Sequence, residues 1–397
     1  MTTMSKIRGY DSNLSRRELL KTLGLLGSGA MLGGLACSHQ PGPENSDRTL
    51  RMFGTGTLDI GNKWQRLQTD LGLNMIFKDN ENDVGPVITK MITLDAAEQY
   101  DLGGLQGGAE AELAKAGKIL PWDLAMIPNF NKMWPWVRDI KWAKWEGKQY
   151  GLPIVVNADS IIYLPQKTGV VDSYHAVFDR HFKGKASMED AWINSVIFTA
   201  IYLKETAQAK LVNPGDLEED ELYVVMEFLT KQKKDGQFLK FWSGWEEGVS
   251  LLESGAVWVM TGWEPIVYAV RQKGVKADYA VPKEGYEGWS NNLLLHVGAK
   301  SRNLVEAAHK FADWELSGYY GCSLALQRGY VVPNEASITY AVDHAAEFNN
   351  ADRDHISRTV ANVRTKFLEM KGQVYWQNVR PKNFRLYEDL WSQLRAA

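Results

Sequence analysis

Residues 253–292 read ESGAVWVMTGWEPIVYAVRQKGVKADYAVPKEGYEGWSNN, and this stretch decides the fold. Leu251–Glu253 ends a helical pattern at Ser254-Gly255. Ala256–Met260 is a short apolar run, β-branched at Val257 and Val259, which predicts a buried strand. The chain breaks at Gly262 and presents Trp263 and Glu264. Pro265 suits the first turn of a helix, where a missing N–H does no harm, and Ile266, Val267 and Val270 give that helix an apolar face. Asp278–Pro282 predicts a second short strand. Trp289, Asn291 and Asn292 follow it, just before the apolar run Leu293–Val297.

Twice, then, a buried strand is followed by a Trp beside a polar or acidic side chain. Ligands of open α/β sheets bind beyond the carboxyl ends of strands. A Trp face next to a carboxylate suits a cationic or sugar-like small molecule. With 15 tryptophans in 397 residues, core packing is the competing account of Trp263 and Trp289.

Upstream, Thr49–Phe53 predicts a strand, and Gly54–Thr57 a turn into a helical pattern through Trp64 and Leu67. The turn is not G-x-G-x-x-G, so it is no dinucleotide fingerprint. Thr57 is a cleft candidate or part of an ordinary βα turn. Leu73–Phe77 and Val84–Leu94 repeat the strand–helix step. A third strand and glycine turn, 101–108, leads into the helix Ala109–Ala116 and places Gln106 at a strand end as a further candidate. This βαβαβα order predicts a parallel sheet covered by helices. Tryptophans 122, 134, 136, 142 and 145 form an aromatic loop region that reads as packing over this part. Ile154–Val156 and Ile161–Leu164 are two apolar runs separated by Asn157-Ala158-Asp159-Ser160. Farther on, Ser187-Met188-Glu189-Asp190 stands at a helix start, where acidic side chains are favourable with or without a function.

The order of helix end, strand, Trp-polar turn, helix, strand ending Val281-Pro282-Lys283-Glu284-Gly285 and Trp289-x-Asn291 resembles the periplasmic solute-binding proteins of ABC transporters, and among them the spermidine/putrescine-binding group. Gly329-Tyr330-Val331-Val332-Pro333-Asn334 resembles that group's Gly-Tyr-x-x-Pro-Asn turn. Tyr150-Gly151-Leu152-Pro153 resembles its approach to the crossover between lobes, and Phe182-Lys183-Gly184-Lys185 its Phe-Lys-Gly step. The resemblance runs from about Arg48 to the C-terminus. It implies an α/β protein of two lobes, type II-like, with the ligand in the cleft between them. Lobe 1 would comprise 49–155 and 293–335, and lobe 2 would comprise 156–292 and 336–397.

The resemblance also implies a role: capture of a polyamine-like cation and delivery to the permease subunits of an importer, with no enzymatic step, cofactor or metal. Trp263 and Trp289 would supply aromatic faces, Glu264 and Asp190 counter-charges, and Tyr330 a hydrogen-bonding wall, with Asp159, Thr57, Gln106 and Asn291 completing the cleft. Three departures stand out. The group's Trp-x-Asp reads Trp289-Ser290-Asn291; an expected Tyr falls near Gly107-Gly108; and an additional Glu falls at Ile193. The ligand would then carry one amine rather than two, or be a sugar- or opine-like solute. A sensory receptor without transport and an exported enzyme with dispersed carboxylates are the remaining alternatives.

The first 36 residues carry Lys6, Arg8, Arg16, Arg17 and Lys21 against Asp11 and Glu18, a net +3 within a chain of net −3, which leaves −6 for the remainder. That balance excludes a basic nucleic-acid-binding design and favours a cationic partner. Ser15-Arg16-Arg17-Glu18-Leu19-Leu20-Lys21 matches the twin-arginine export pattern, with the twin-arginine translocase as the implied partner, and Thr22–Ala36 is too short and Gly-rich to be a stable membrane span. Residues 1–37 therefore read as a signal peptide ending in a possible lipid-attachment cysteine, Cys37, and 38–48 as a polar tether. Cleavage after Ala36 without lipid is the alternative; either way the protein would work in the periplasm or at the outer face of the membrane. Cys322 alone remains, in an apolar helical pattern, and reads as a buried small side chain rather than a nucleophile. The seven histidines show no H-E-x-x-H spacing, and no G-x-S-x-G turn occurs.

Overall fold

The computed structural model describes residues 48–81, 84–369 and 375–397. Arg16, Arg17 and Cys37, and with them the expected export signal and lipid anchor, lie outside the described residues.

Eight principal strands carry the fold: β1 (Thr49–Gly54), β2 (Asn74–Asp79), β3 (Leu102–Gln106), β4 (Gly151–Tyr163), β5 (Ala186–Glu189), β6 (Phe238–Trp242), β7 (Val259–Gly262) and β8 (Glu287–His296). Their order is β2-β1-β3-β8-β4-β7-β5-β6. β1 pairs in parallel with both β2 and β3, as the strand–helix alternation predicts. β8 then runs antiparallel to β3 and to β4. On the far side β4 pairs with β7, and β7, β5 and β6 run parallel to one another. Two sheets thus share β4: its residues up to Asp159 pair with β8, and those from Ser160 onward pair with β7.

The two apolar runs expected around 154–156 and 161–164 are one strand. All thirteen residues of β4 are buried. Covered faces leave no hydrophobic alternation to read, and Asn157, Asp159 and Ser160 sit inside the strand rather than in a loop between two. β8 corrects the sequence reading in the same way. Trp289, Asn291 and Asn292 are mid-strand, not a turn before Leu293.

Apolar contacts follow the two sheets. One core joins Leu50 and Met52 of β1 to Leu152 and Ile154 of β4, Phe311 and Trp289. Another joins Ile161 and Tyr163 of β4 to Val196–Leu203, Val225 and Trp391. Each fully buried Leu, Ile or Phe contributes roughly 1.5–3 kcal/mol over exposure. The sequence places 336–397 with the second lobe; the packing divides that stretch. Ala341, Phe348, Ile356, Val360, Val363 and Phe367 join the first core, while Tyr375, Tyr387 and Trp391 join the second. The helix Asn350–Glu369 has no long apolar run to advertise this, only single apolar residues spaced to face the first sheet. Trp122 and Trp134 are likewise buried in the first core, as packing predicts. Cys322 is buried and free, its Sγ 3.1 Å from the Ser337 carbonyl, and burial pushes its thiol up to about 12. Among the described residues no helix is long and apolar enough to cross a membrane.

Candidate ligand-binding cleft

Pairing register builds the site. In an antiparallel pair, directly opposed residues project to the same face, and every second residue shares it. Asp159 opposes Glu287, Asn157 opposes Trp289, and Val155 opposes Asn291. One face of the crossing ribbon therefore presents Asn157, Asp159, Glu287, Trp289 and Asn291 together. On that face lies a cavity of about 340 Å³. The ends of other elements close it. Glu189 ends β5, Trp263 follows β7 as the N-cap of the helix Glu264–Gln272, and Gln106 ends β3. Tyr330 arrives from a helix that stops at Gly329 in the left-handed conformation (φ 70°), where a glycine carries no side-chain penalty. The next residue, Val331, bridges to Val156 of β4 and fixes the approach.

Seven sequence-predicted residues line this cavity: Thr57, Gln106, Asp159, Trp263, Trp289, Asn291 and Tyr330. The Trp289 and Tyr330 rings meet edge to face at 5.2 Å, and Trp263 meets Trp242 at 5.1 Å. Asn291 donates from Nδ2 to Thr57 Oγ1 at 2.6 Å, and its buried Oδ1 has no hydrogen-bond partner among the described residues. An acceptor left open in a cavity wall suits a donor on a ligand.

Glu264 and Asp190 do not line it. Glu264 accepts from Lys366 Nζ at 2.6 Å and from Asn362 Nδ2 at 2.7 Å. Asp190 accepts from Arg395 at 2.7 Å and from the Trp391 indole at 3.1 Å. Both expected counter-charges already hold cations of the chain itself. The residue beside Asp190 takes its place: Glu189 lines the cavity, held by Asn194, whose carbonyl in turn accepts from Gln377. Sequence reasoning missed Glu189 by one position. It also missed Asn194, Gln377, Arg380 and Glu388, because the last three come from a C-terminal segment with no pattern pointing to a cleft.

The electrostatics are those of a buried cluster of carboxylates. Asp159 is only 4% exposed, and burial pushes it up to about 8. The Lys366 charge opposes that rise, while Glu189 and Glu264 add to it. Burial lifts Glu189 to about 7 against hydrogen bonds from Asn194 and Trp263. Behind them Glu287 is fully buried and driven well above the carboxylate range, first by burial and then by Asp159 and Glu189. Each shift reports the cost of placing negative charge where water is excluded and like charge is close. A ligand ammonium would relieve that cost. At the other end Arg380 pairs with Glu112 at 2.8 Å, and Glu388 lies near the helix Val84–Thr93. Among the described residues no cluster of His, Cys, Asp and Glu is arranged to hold a metal ion.

The family model for the bacterial extracellular solute-binding protein matches residues 81–347. This chain belongs to that family. The solute-binding protein is 21% identical over 383 residues to the spermidine/putrescine-binding periplasmic protein of Escherichia coli, covering 94% of this chain and 97% of that one. It is 27% identical over 108 residues to the putrescine/cadaverine-binding protein of Pseudomonas aeruginosa, covering 25% of this chain and 30% of that protein. Among solved structures, a putative spermidine/putrescine ABC transporter protein of Listeria monocytogenes superposes with a TM-score of 0.68 at 16% identity, covering 88% of this chain and 99% of that one. The solute-binding protein therefore has the α/β fold of the periplasmic binding proteins.

Proposed function

We propose that this protein captures a small amine cation of the polyamine type outside the cytoplasm and delivers it to the permease of an ABC importer. The observation that carries the reading is the pair Asp159 and Glu189. Both line the cavity beside the Trp263 and Trp289 rings, and burial holds both above the usual carboxylate range. A cation there gains two counter-charges and two aromatic faces at once. The names of the Escherichia coli and Pseudomonas aeruginosa relatives point to the same ligand class. A volume of about 340 Å³ falls at the small end of ligand pockets, which run from roughly 300 to 1,000 Å³. Closure of the two lobes over the ligand would present both to the permease. The cleft's part in this is binding without chemistry. The sequence motif at Arg16-Arg17 supports folded export by the twin-arginine translocase, and Cys37 with its polar sequel supports a lipid anchor at the outer face of the cytoplasmic membrane.

Calorimetric titration of the mature protein tests the ligand class, with putrescine, spermidine, monoamines, amino-acid conjugates and oligosaccharides as probes. Micromolar binding of an amine, weakened at least tenfold by Asp159→Asn or Glu189→Gln, is the expected result. Binding of only a neutral solute would discard the amine assignment and keep the fold and family. Mass spectrometry of the exported protein decides whether Cys37 carries lipid.

A further inference from the structure

A second cation cage stands beside the ligand cavity, and the chain fills it itself. Lys366 lies on the helix Asn350–Glu369, with only 5% of its side chain exposed. Its ammonium donates to the Ala158 carbonyl at 3.1 Å, to Asn157 Oδ1 at 3.2 Å and to Glu264 Oε2 at 2.6 Å. Three acceptors satisfy three N–H donors. The ammonium also stands 4.6 Å from the Tyr279 ring centroid and 5.9 Å from that of Tyr286. Two aromatic rings, one carboxylate and neutral oxygens surround it. Those are the kinds of group that line the adjacent cavity: Trp263, Trp289, Asp159, Glu189 and Asn291.

The cage and the cavity share a wall. Asp159 lines the cavity and directly follows Ala158, which the ammonium contacts. The Tyr279 hydroxyl lies 3.5 Å from Asp159 Oδ1. The Lys366 charge already acts on Asp159, so one ligand ammonium between Asp159 and Glu189 uses the negative charge that remains, and a second would meet repulsion from both ammonium groups in a water-poor site. Of the other charged side chains lining the cavity, Arg380 pairs with Glu112, and Glu388 stands beside the helix Val84–Thr93.

We propose that Lys366 is a tethered ammonium that occupies the place of a second ligand amine, so that this protein selects a solute with one ammonium over a diamine of the same length. The proposal rests on the amine reading of the cavity and narrows it. A lysine that served packing alone would alter stability and leave the choice between ligands where it was.

The test compares 5-amino-1-pentanol with cadaverine on the mature protein by calorimetry. The wild type is expected to bind the amino alcohol at least tenfold more tightly. Lys366→Ala vacates the cage and should shift the ratio at least tenfold toward cadaverine, and added ethylammonium should shift it back. The paired variant Glu264→Gln with Lys366→Met removes both charges and keeps the volume. It should move the ratio in the same direction by a smaller factor, and it decides the matter if Lys366→Ala does not fold. An unchanged ratio in the folded variant, or a wild type that prefers cadaverine, overturns the tethered-ammonium role. Failure of the wild type to bind either amine, while a neutral solute binds, overturns the amine reading beneath it.

Discussion

Glu189 and Asp190 are adjacent in the chain and chemically alike, yet the fold uses them oppositely. Glu189 ends β5 facing the cavity, while Asp190 turns away to Arg395 and Trp391. Asp159 and Glu264 repeat the contrast. Asp159 lines the cavity, whereas Glu264 is tied to Lys366 and Asn362. In each pair one carboxylate has its cation built in and the other does not. An acidic residue near a cleft therefore says little until its existing partner is known. Availability, not charge alone, makes a binding group.

The largest expected effect breaks a built-in pair. Glu264→Gln leaves the Lys366 ammonium buried against a neutral amide and should cost about 3–5 kcal/mol of stability in urea unfolding. Adding Lys366→Met should recover most of that loss. A cost below about 1 kcal/mol would show that this pair is no better partnered than Asp159.

Next comes the open pair. Asp159→Asn should weaken amine binding by about 2 kcal/mol or more, roughly thirtyfold, in calorimetric titration. The same change should not lower the stability of the free protein at pH 8, because it removes a charge that burial penalises. Loss of stability with unchanged affinity would reverse the assignment of roles.

A pH series sharpens the contrast further. Unfolded carboxylates ionise near pH 4, whereas burial holds folded Asp159 up to about 8 and Glu189 up to about 7. Below about pH 4 both states are protonated and no penalty arises. As pH rises the unfolded state loses its protons first, so free-protein stability falls, and the penalty is complete above about pH 8. Asp159→Asn should flatten this decline. Amine binding near pH 7 should release about one proton, read from the dependence of binding heat on buffer ionisation. Absence of proton release would mean that neither carboxyl meets the ligand.

The smallest effect belongs to Asp190→Asn. Arg395 is 59% exposed on its side chain, so this pair is screened by water. Stability should change by less than about 1 kcal/mol, and amine affinity by less than about twofold.

Much of this was legible in sequence where local chemistry and final environment agree. The parallel strands β1 to β3 and the helices between them follow directly from their apolar runs and glycine turns. Trp263, Trp289, Asn291 and Tyr330 stood out through the order of elements around them. Legibility failed where burial hides periodicity. Asn157 and Asp159 inside β4 read as a loop because polar residues in a covered strand look like a break. The sequence favours Asp190 over Glu189 because facing is a matter of strand alternation, which a two-residue acidic motif does not reveal. Lys366 carries no signal at all, one base among Arg353, Arg358, Arg364 and Lys366 on a charged helix. Only the tertiary packing that brings its helix against β4 gives it a role.

The crossing ribbon of β4 and β8 has a consequence for descent. Its functional side chains occupy alternate positions, so a one-residue insertion or deletion would turn Trp289, Asn291 or Asp159 to the opposite face. Relatives that diverge in ligand should therefore differ here by exchange of side chains at every second position, with strand lengths preserved. Length variation is left to the surrounding loops, which can drift while the register stays fixed.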